Sequence, residues 1–430
     1  MDLNPAGIRR VPRAAEWCGW IAAAFAVRLL YGWIVQPYLE GPFGWSGDDG
    51  YDEIARLWLD GQGYVRWPGG PPTLERLPLY PLFLAGLFRL GGGAGGMLAA
   101  GTQALLSSAT LLPLGALASR LGGLGSCRMA LLLATLHPVG ILYNFRYMTE
   151  PLHSFLVLVC LWWMLRWIEE GGWLRAALAG VTFGALALTR SALLPLAPWI
   201  AVAAVLARHR ALAGAGRAGR RSILAQGALA LAACAVVLLP WVARAHHLGG
   251  GLISSGSAAA WYHGLDVSRA AWNGGSMGEV DRASDQALDA VLRIAMPDLN
   301  PADPRWEIER DALTRRLALG RFLAEPWLRL AELGRNLTLS WYLTYTPHAS
   351  ALAALFQVPL IIAVAVALRR RGRKWPPGLW PALALLAGQV LLQAAAYPHF
   401  RFMAPATWVA MALVSDLSAR GPERRARTVA

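Results

Sequence analysis

Ten predominantly apolar runs recur along this 430-residue chain, each near the roughly 20 residues that a helix needs to cross a bilayer. They lie at about 15–37, 97–119, 127–145, 150–168, 173–189, 191–207, 223–243, 350–368, 379–396 and 402–418. In hydrocarbon each backbone N–H and C=O must be satisfied internally, and at this length the solution is a helix. The expected fold class is therefore all-α, a polytopic membrane protein with about ten spans forming a single integral membrane domain over 1–430. Its 56% hydrophobic and 15% charged residues exclude an ordinary soluble domain. The first 14 residues are polar and basic and no small-residue cleavage site follows, so the first run is expected to be retained as a span.

One further apolar run, 78–90, is shorter and ends at Gly91-Gly92-Gly93. Charge decides its placement, because cytoplasmic loops carry the excess of Lys and Arg. With ten spans and a cytoplasmic N-terminus, all the basic clusters fall on one side: Arg9, Arg10 and Arg13; Arg120 and Arg128; Arg175; Arg208 to Arg221; Arg369 to Lys374; and the C-terminal tail. An eleventh crossing would split them. The run is thus expected to lie in the interface or re-enter it. This topology puts two large segments outside. The first, 38–96, holds an acidic motif and interfacial helices; the second, 244–349, turns amphipathic over 314–341, where arginines alternate with Leu, Phe and Trp as in helices lying on a membrane.

The net charge of +14 does not point to nucleic acid, since the basic residues sit between apolar runs rather than on one soluble face. Cys18, Cys127, Cys160 and Cys234 lie within or at the ends of spans without CxxC or His-rich spacing, so neither a disulfide framework nor a zinc site is indicated. No phosphate-binding glycine loop of Walker or Rossmann spacing is visible, which argues against a nucleotide-driven machine.

Only 26 residues are acidic, yet four fall together in Gly47-Asp48-Asp49-Gly50-Tyr51-Asp52-Glu53, just after the first span. Adjacent carboxylates there suit a proton acceptor or a cation site. They also suit a helix N-terminus, with Asp48 or Asp49 as cap and Asp52 and Glu53 complementing the dipole. Further ionisable residues border spans on the same side: Arg146, Glu150, Arg190, Arg244, His399 and Arg401. Such groups are expensive near a bilayer and mark function, although Glu150 before Pro151 also fits a helix start and the arginines fit snorkelling anchors.

The order of these motifs carries a resemblance. The acidic pair, Tyr51, Ile54-Ala55 and Arg76-Leu77-Pro78-Leu79-Tyr80-Pro81 resemble the first external loop of GT-C fold glycosyltransferases that use polyprenyl-phosphate sugars, such as protein O-mannosyltransferases and lipid A aminoarabinose transferases. The similarity continues through Arg146-Tyr147-Met148-Thr149-Glu150-Pro151, Leu188-Thr189-Arg190, Pro240-Trp241-Val242-Ala243-Arg244, Glu325-Pro326 and Phe400-Arg401-Phe402. It implies a GT-C type fold and an inverting transfer of a sugar from a polyprenyl-phosphate donor to a lipid, glycan or protein acceptor hydroxyl. The setting would be the periplasmic face of a bacterial inner membrane, among membrane lipids and without nucleic acid. Asp48 is the best match to the family's general base; Tyr51 follows it by three residues where four is usual, so Asp49 stays open. Glu150 matches the second catalytic acid. Arg76, Arg244 and Arg401 are the implied donor-phosphate ligands, and Tyr51, Tyr80, Arg146 and His399 the implied substrate contacts. The chemistry needs no metal, although Asp48 and Asp49 are also placed for a divalent cation. Two other readings remain: a secondary transporter or flippase, and an O-antigen ligase or polymerase type of enzyme using a diphosphate-linked donor.

Overall fold

A computed structural model describes residues 12–35, 49–212, 217–250, 257–272, 276–298, 300–372 and 375–419. Asp48, and the basic residues expected at Arg9, Arg10, Arg373, Lys374 and 420–430, lie outside the described residues. Among the described residues the elements are helices: α1 (Ala14–Leu30), α2 (Tyr51–Leu59), α3 (Leu79–Gly91), α4 (Gly95–Ala109), α5 (Leu111–Leu136), α6 (Glu150–Glu170), α7 (Trp173–Thr189), α8 (Ala197–Ala211) and α9 (Arg217–His247). Then come α10 (Ser257–Trp272), α11 (Met277–Ala295), α12 (Trp306–Ala324), α13 (Pro326–Leu339), α14 (Pro347–Arg371), α15 (Trp380–Ala395), α16 (Ala404–Val414) and the short α17 (Asp416–Ala419). Among the described residues seven helical stretches are long and apolar enough to cross a membrane, and Trp173–Thr189 and Phe400–Val414 are shorter apolar helices. The all-α polytopic class holds.

The boundaries differ from the hydropathy pattern in one region. The runs expected at 97–119 and 127–145 form α4 and α5, joined through Thr110 in helical geometry, with the break falling inside α5 at Gly122 and Gly123. Gly123 sits at φ +69, which only glycine adopts cheaply. The second run ends at Leu136 because Pro138 follows; it has no N–H to extend the ladder and forces His137 to be extended. Residues 137–149 instead form turns that lead the chain to Glu150. Helix α3, at 13 residues, is about 20 Å long, short of the roughly 30 Å hydrocarbon core; it packs between α2 and α4.

The core is built around α16, whose residues from Ala404 to Leu413 are all buried, with Trp408 only 1% exposed. A helix apolar on every side belongs at the centre of a bundle, and α5, α14 and α15 surround it. A missed polar element supports this end of the bundle. Arg28 of α1 is fully buried, donating from Nε to Ser107 Oγ (3.0 Å) and from Nη1 and Nη2 to the carbonyls of Ala24 (2.9 Å) and Ala134 (3.3 Å). It satisfies the Ala134 carbonyl, which is freed because Pro138 four residues on has no N–H, and its signal in the sequence was an arginine inside an apolar run.

Candidate functional site

The site forms where four separate helix ends meet. The chain enters α2 through Gly50 at φ +69, and this left-handed glycine is the helix N-cap, without a side-chain cap bond. Asp49 therefore does not cap the helix. Its carboxylate accepts from Arg401 Nη2, while its backbone carbonyl accepts from Arg76 Nε at 2.8 Å. Asp52 and Glu53 do occupy the first turn of α2, as the dipole favours.

Glu150 opens α6 and is 3% exposed. Its Oε1 accepts from Arg401 Nε and from Arg190 Nη1 (2.7 Å). Arg190 stands in extended backbone directly after α7, and Arg401 in the short turn Phe400–Met403 before α16. That turn is pinned twice: His399 Nδ1 accepts the Arg401 backbone N–H at 2.9 Å, and Gln389 Nε2 donates to the Phe402 carbonyl at 2.8 Å. The Arg190 guanidinium lies over the Phe402 ring, 4.5 Å from its centroid.

The strap 64–76 carries Arg76 to this cluster. The strap is closed by a bridge between Val65 and Pro72, and Tyr64 donates its hydroxyl to the Arg76 carbonyl at 2.9 Å. Glu307 of α12 holds it from outside, accepting from Thr73 Oγ1 and the Leu74 N–H, both at 2.8 Å. The Arg76 guanidinium then rests over the Tyr51 ring at 5.5 Å, with Glu75 Oε1 3.4 Å away.

Counting Glu75 together with its second partner Arg66, four arginines, Arg66, Arg76, Arg190 and Arg401, thus face three carboxylates, Glu75, Asp49 and Glu150, an excess of one positive charge. Burial pushes the Asp49 carboxyl up, but Arg401, helped by Arg76 and Arg190, outweighs it and leaves the group below the ordinary carboxylate value. Such a cluster can take up one more anion, and planar guanidiniums suit a phosphate. Below it, a cavity of about 10 Å³, near the size of a single water, is lined by Glu150, His153, Gln389 and Arg401 among others. Glu150 Oε2, His153 Nδ1 and Gln389 Oε1 have no protein partner among the described residues.

Of the residues expected from sequence, Asp49, Arg76, Glu150 and Arg401 converge here, and Tyr51 forms the floor. Tyr80 is fully buried beneath Tyr51, ring centroids 5.1 Å apart, and gives its hydroxyl to Gln103 Oε1 at 2.5 Å. Gln103 Nε2 donates in turn to the carbonyls of Asn144 and Arg146, both at 2.9 Å. Arg244 is not in the cluster: its guanidinium lies over Trp241 and Tyr64 and reaches the Tyr64 carbonyl at 3.4 Å, so it braces the strap. Arg146 is half-buried near the cluster, and His399 is 3% exposed beside the Tyr345 ring at 4.7 Å. Arg190 is the member whose pairing sequence reasoning missed; an arginine after an apolar run looks the same whether it anchors or pairs. As for a cation site at the acidic pair, Asp48 lies outside the described residues, and the Asp49 carboxylate is engaged by Arg401. Among the described residues no group of three His, Cys, Asp or Glu side chains could hold a metal.

Burial brings the His399 imidazole down to about 3, with Arg401 and Arg190 adding to the effect. Native His399 stays neutral where the unfolded chain takes a proton, so its contribution to stability declines below about pH 6.5. Asp49 acts in the same direction lower down: its depressed value gives stability that is present above the ordinary carboxylate pKa and lost as pH falls through the folded value. Thermal unfolding of the purified protein is expected to show a midpoint that declines from pH 6.5 to 5 and then more steeply below 4. His399→Phe should flatten the first part.

A helical bundle with two long insertions and a buried arginine–carboxylate cluster at one end defines a polytopic membrane protein with its polar site at the tips of its helices. The solved structures identify the fold as GT-C. No protein-family model and no curated protein matches the sequence. Archaeal oligosaccharyltransferase AglB from Archaeoglobus fulgidus, in complex with an inhibitory peptide and a dolichol-phosphate, is 16% identical over 96% of this chain and 51% of its own, with a TM-score of 0.55. The apo form of the Archaeoglobus fulgidus oligosaccharyltransferase superposes with a TM-score of 0.57 at 15% identity, covering 97% of this chain and 52% of that one. The chain therefore spans about half the length of that enzyme. ArnT from Cupriavidus metallidurans bound to undecaprenyl phosphate is 16% identical over 97% of this chain and 80% of its own, at a TM-score of 0.37, too loose to match residues.

Proposed function

We propose that this protein is a glycosyltransferase that moves a sugar from a polyprenyl-phosphate donor to an acceptor hydroxyl at the extracytoplasmic face of a bacterial inner membrane, with inversion. The observation that carries the reading is the convergence of Arg76, Arg190 and Arg401 on Asp49 and Glu150 at the tips of α6, α7 and α16, under a strap from the first loop. A lipid phosphate arriving from the bilayer would complete the charge of that cluster. The AglB structure was solved with a dolichol-phosphate, which agrees with a lipid-phosphate ligand for the fold.

In the proposed reaction the acceptor O–H gives its proton to the Asp48 carboxylate as its oxygen bonds to the anomeric carbon. The bond from that carbon to the phosphate oxygen breaks, and the polyprenyl phosphate leaves with the electron pair. Arg76 and Arg401 hold the charge that develops on it, which is electrostatic stabilisation of the leaving group. Asp49 is assigned the orientation of Arg401 rather than the base, since a carboxylate already engaged by guanidiniums accepts a proton poorly. Glu150 fixes the opposite side of Arg401 and holds Arg190. The position of the cluster at the helix tips disfavours a transporter, whose substrate site belongs near the midplane on broken helices.

The test offers the purified protein polyprenyl-monophosphate and polyprenyl-diphosphate sugars with a panel of hydroxyl acceptors. Transfer from the monophosphate is the expected result. Transfer from the diphosphate alone would replace this reading with a ligase or polymerase type of enzyme. No transfer, together with lipid or solute movement in proteoliposomes, would replace it with a transporter.

A further inference from the structure

A second site lies at the opposite end of the bundle. Between α6, α7, α8 and α9 runs a cleft of about 280 Å³ lined entirely by apolar side chains and glycines. Small residues make it: Ala176, Ala179 and Gly180 on α7, Ala201 and Ala204 on α8, and Gly227 on α9. Lining residues Leu224 and Leu231 are 63% and 62% exposed, so the cleft opens on the outer surface of apolar helices, where the surroundings are lipid.

The same helix faces end in cations. On α8 the lining positions Ala201, Ala204 and Val205 lead one turn on to Arg208, and on α9 Leu224, Gly227 and Ala228 lead one turn back to Arg220 and Arg221. Helix direction places these arginines far from Glu150 and Arg190, since α6 and α9 run between the two ends of the bundle. Neighbouring Arg166 and Arg175 share one carboxylate, Glu170, at 2.9 and 2.6 Å. Arg208, Arg220 and Arg221 have no carboxylate partner among the described residues. Arg208 gives Nη1 to the Ile168 carbonyl at 2.9 Å, and its buried Nε has no partner. A buried, unpartnered guanidinium N–H on the residue one turn beyond the lining of an apolar trough is a donor suited to an anion attached to an apolar chain.

We propose that this cleft binds an anionic phospholipid of the bilayer, its acyl chain in the trough between α7, α8 and α9 and its phosphate on Arg208 and Arg221. An anionic lipid is favoured over a zwitterionic one because the arginines have no acid to share and supply only positive charge. The site is separate from the Asp49 cluster and does not depend on the proposed transfer reaction.

The experiment titrates phosphatidylglycerol, and in parallel phosphatidylcholine and undecaprenyl phosphate, into the purified full-length protein in detergent, counting bound lipid by native mass spectrometry. Saturable binding of one phosphatidylglycerol, not matched by phosphatidylcholine, is expected. Arg208→Gln with Arg221→Gln should weaken it about thirtyfold, the change expected for two arginines acting on an anionic lipid. Gly227→Leu, whose Cβ would meet only Val205 at an ordinary 3.6 Å, fills the trough and should weaken it with both arginines present. Should that variant fail to fold, the arginine pair decides alone. Equal binding of the two phospholipids, or phosphatidylglycerol binding unchanged in the arginine variant, would overturn the proposal. So would displacement of phosphatidylglycerol by undecaprenyl phosphate at this site, which would make it a carrier-lipid site.

Discussion

Asp48→Asn is expected to lower turnover by about a hundred- to ten-thousandfold, the range supplied by a positioned general base, while the protein inserts and folds as before. Asp49→Asn should behave differently. Asp49 is engaged by Arg401 and sits above Arg76, and losing its charge raises the excess of the cluster from one positive charge to two. Free polyprenyl phosphate should then bind several-fold tighter by simple Coulomb attraction in a partly buried site, even as turnover falls with the loss of Arg401's orientation. The pair of variants is read by measuring kcat and carrier-lipid affinity side by side. Full turnover in Asp48→Asn combined with none in Asp49→Asn would move the base by one residue. Full turnover in both would remove the carboxylate mechanism.

The second large effect concerns stability. Glu150 and Arg401 are 3% and 6% exposed, and Glu150 is also the partner of Arg190. Glu150→Leu leaves a buried guanidinium short of its main counter-charge, and breaking a buried pair in this way costs about 3–5 kcal/mol. A marked fall in the thermal midpoint is expected. Adding Arg401→Met should recover much of that loss, because replacing both members of a buried pair by apolar side chains is often neutral. Carrier-lipid binding should not return with it. Recovery of stability without binding separates the structural part of the pair from its functional part. A Glu150→Leu variant as stable as the wild type would show that Arg401 takes its compensation elsewhere.

Much of the architecture was legible because membrane helices announce themselves one at a time. A run of some twenty apolar residues satisfies its own backbone wherever it sits, so the all-helical polytopic class and most spans follow from local pattern alone. The break in α5 did not, since Gly122 and Gly123 lie in a stretch that is apolar and small on both sides, and hydropathy is blind to φ. At the site, the pattern of acids and arginines bordering spans brought out Asp49, Arg76, Glu150 and Arg401 individually. Which of them touch depends on how helix tips far apart in sequence are stacked. Arg190 and Arg244 show the difficulty: each follows or ends an apolar helix, yet one pairs with Glu150 and the other braces Tyr64. Gln103 and Gln389 were invisible for a related reason. A single amide in an apolar run reads as tolerated polarity until the carbonyl it serves is placed beside it.

The most direct test of a lipid-phosphate site at this cluster is binding of polyprenyl phosphate to the purified protein, wild type beside Arg76→Ala and Asp48→Asn, because it requires neither the sugar nor the acceptor. Saturable binding is expected, weakened about tenfold or more in Arg76→Ala, as for loss of a charge-assisted contact, and retained in Asp48→Asn. Absence of specific binding in all three, or binding indifferent to Arg76, would contradict such a site.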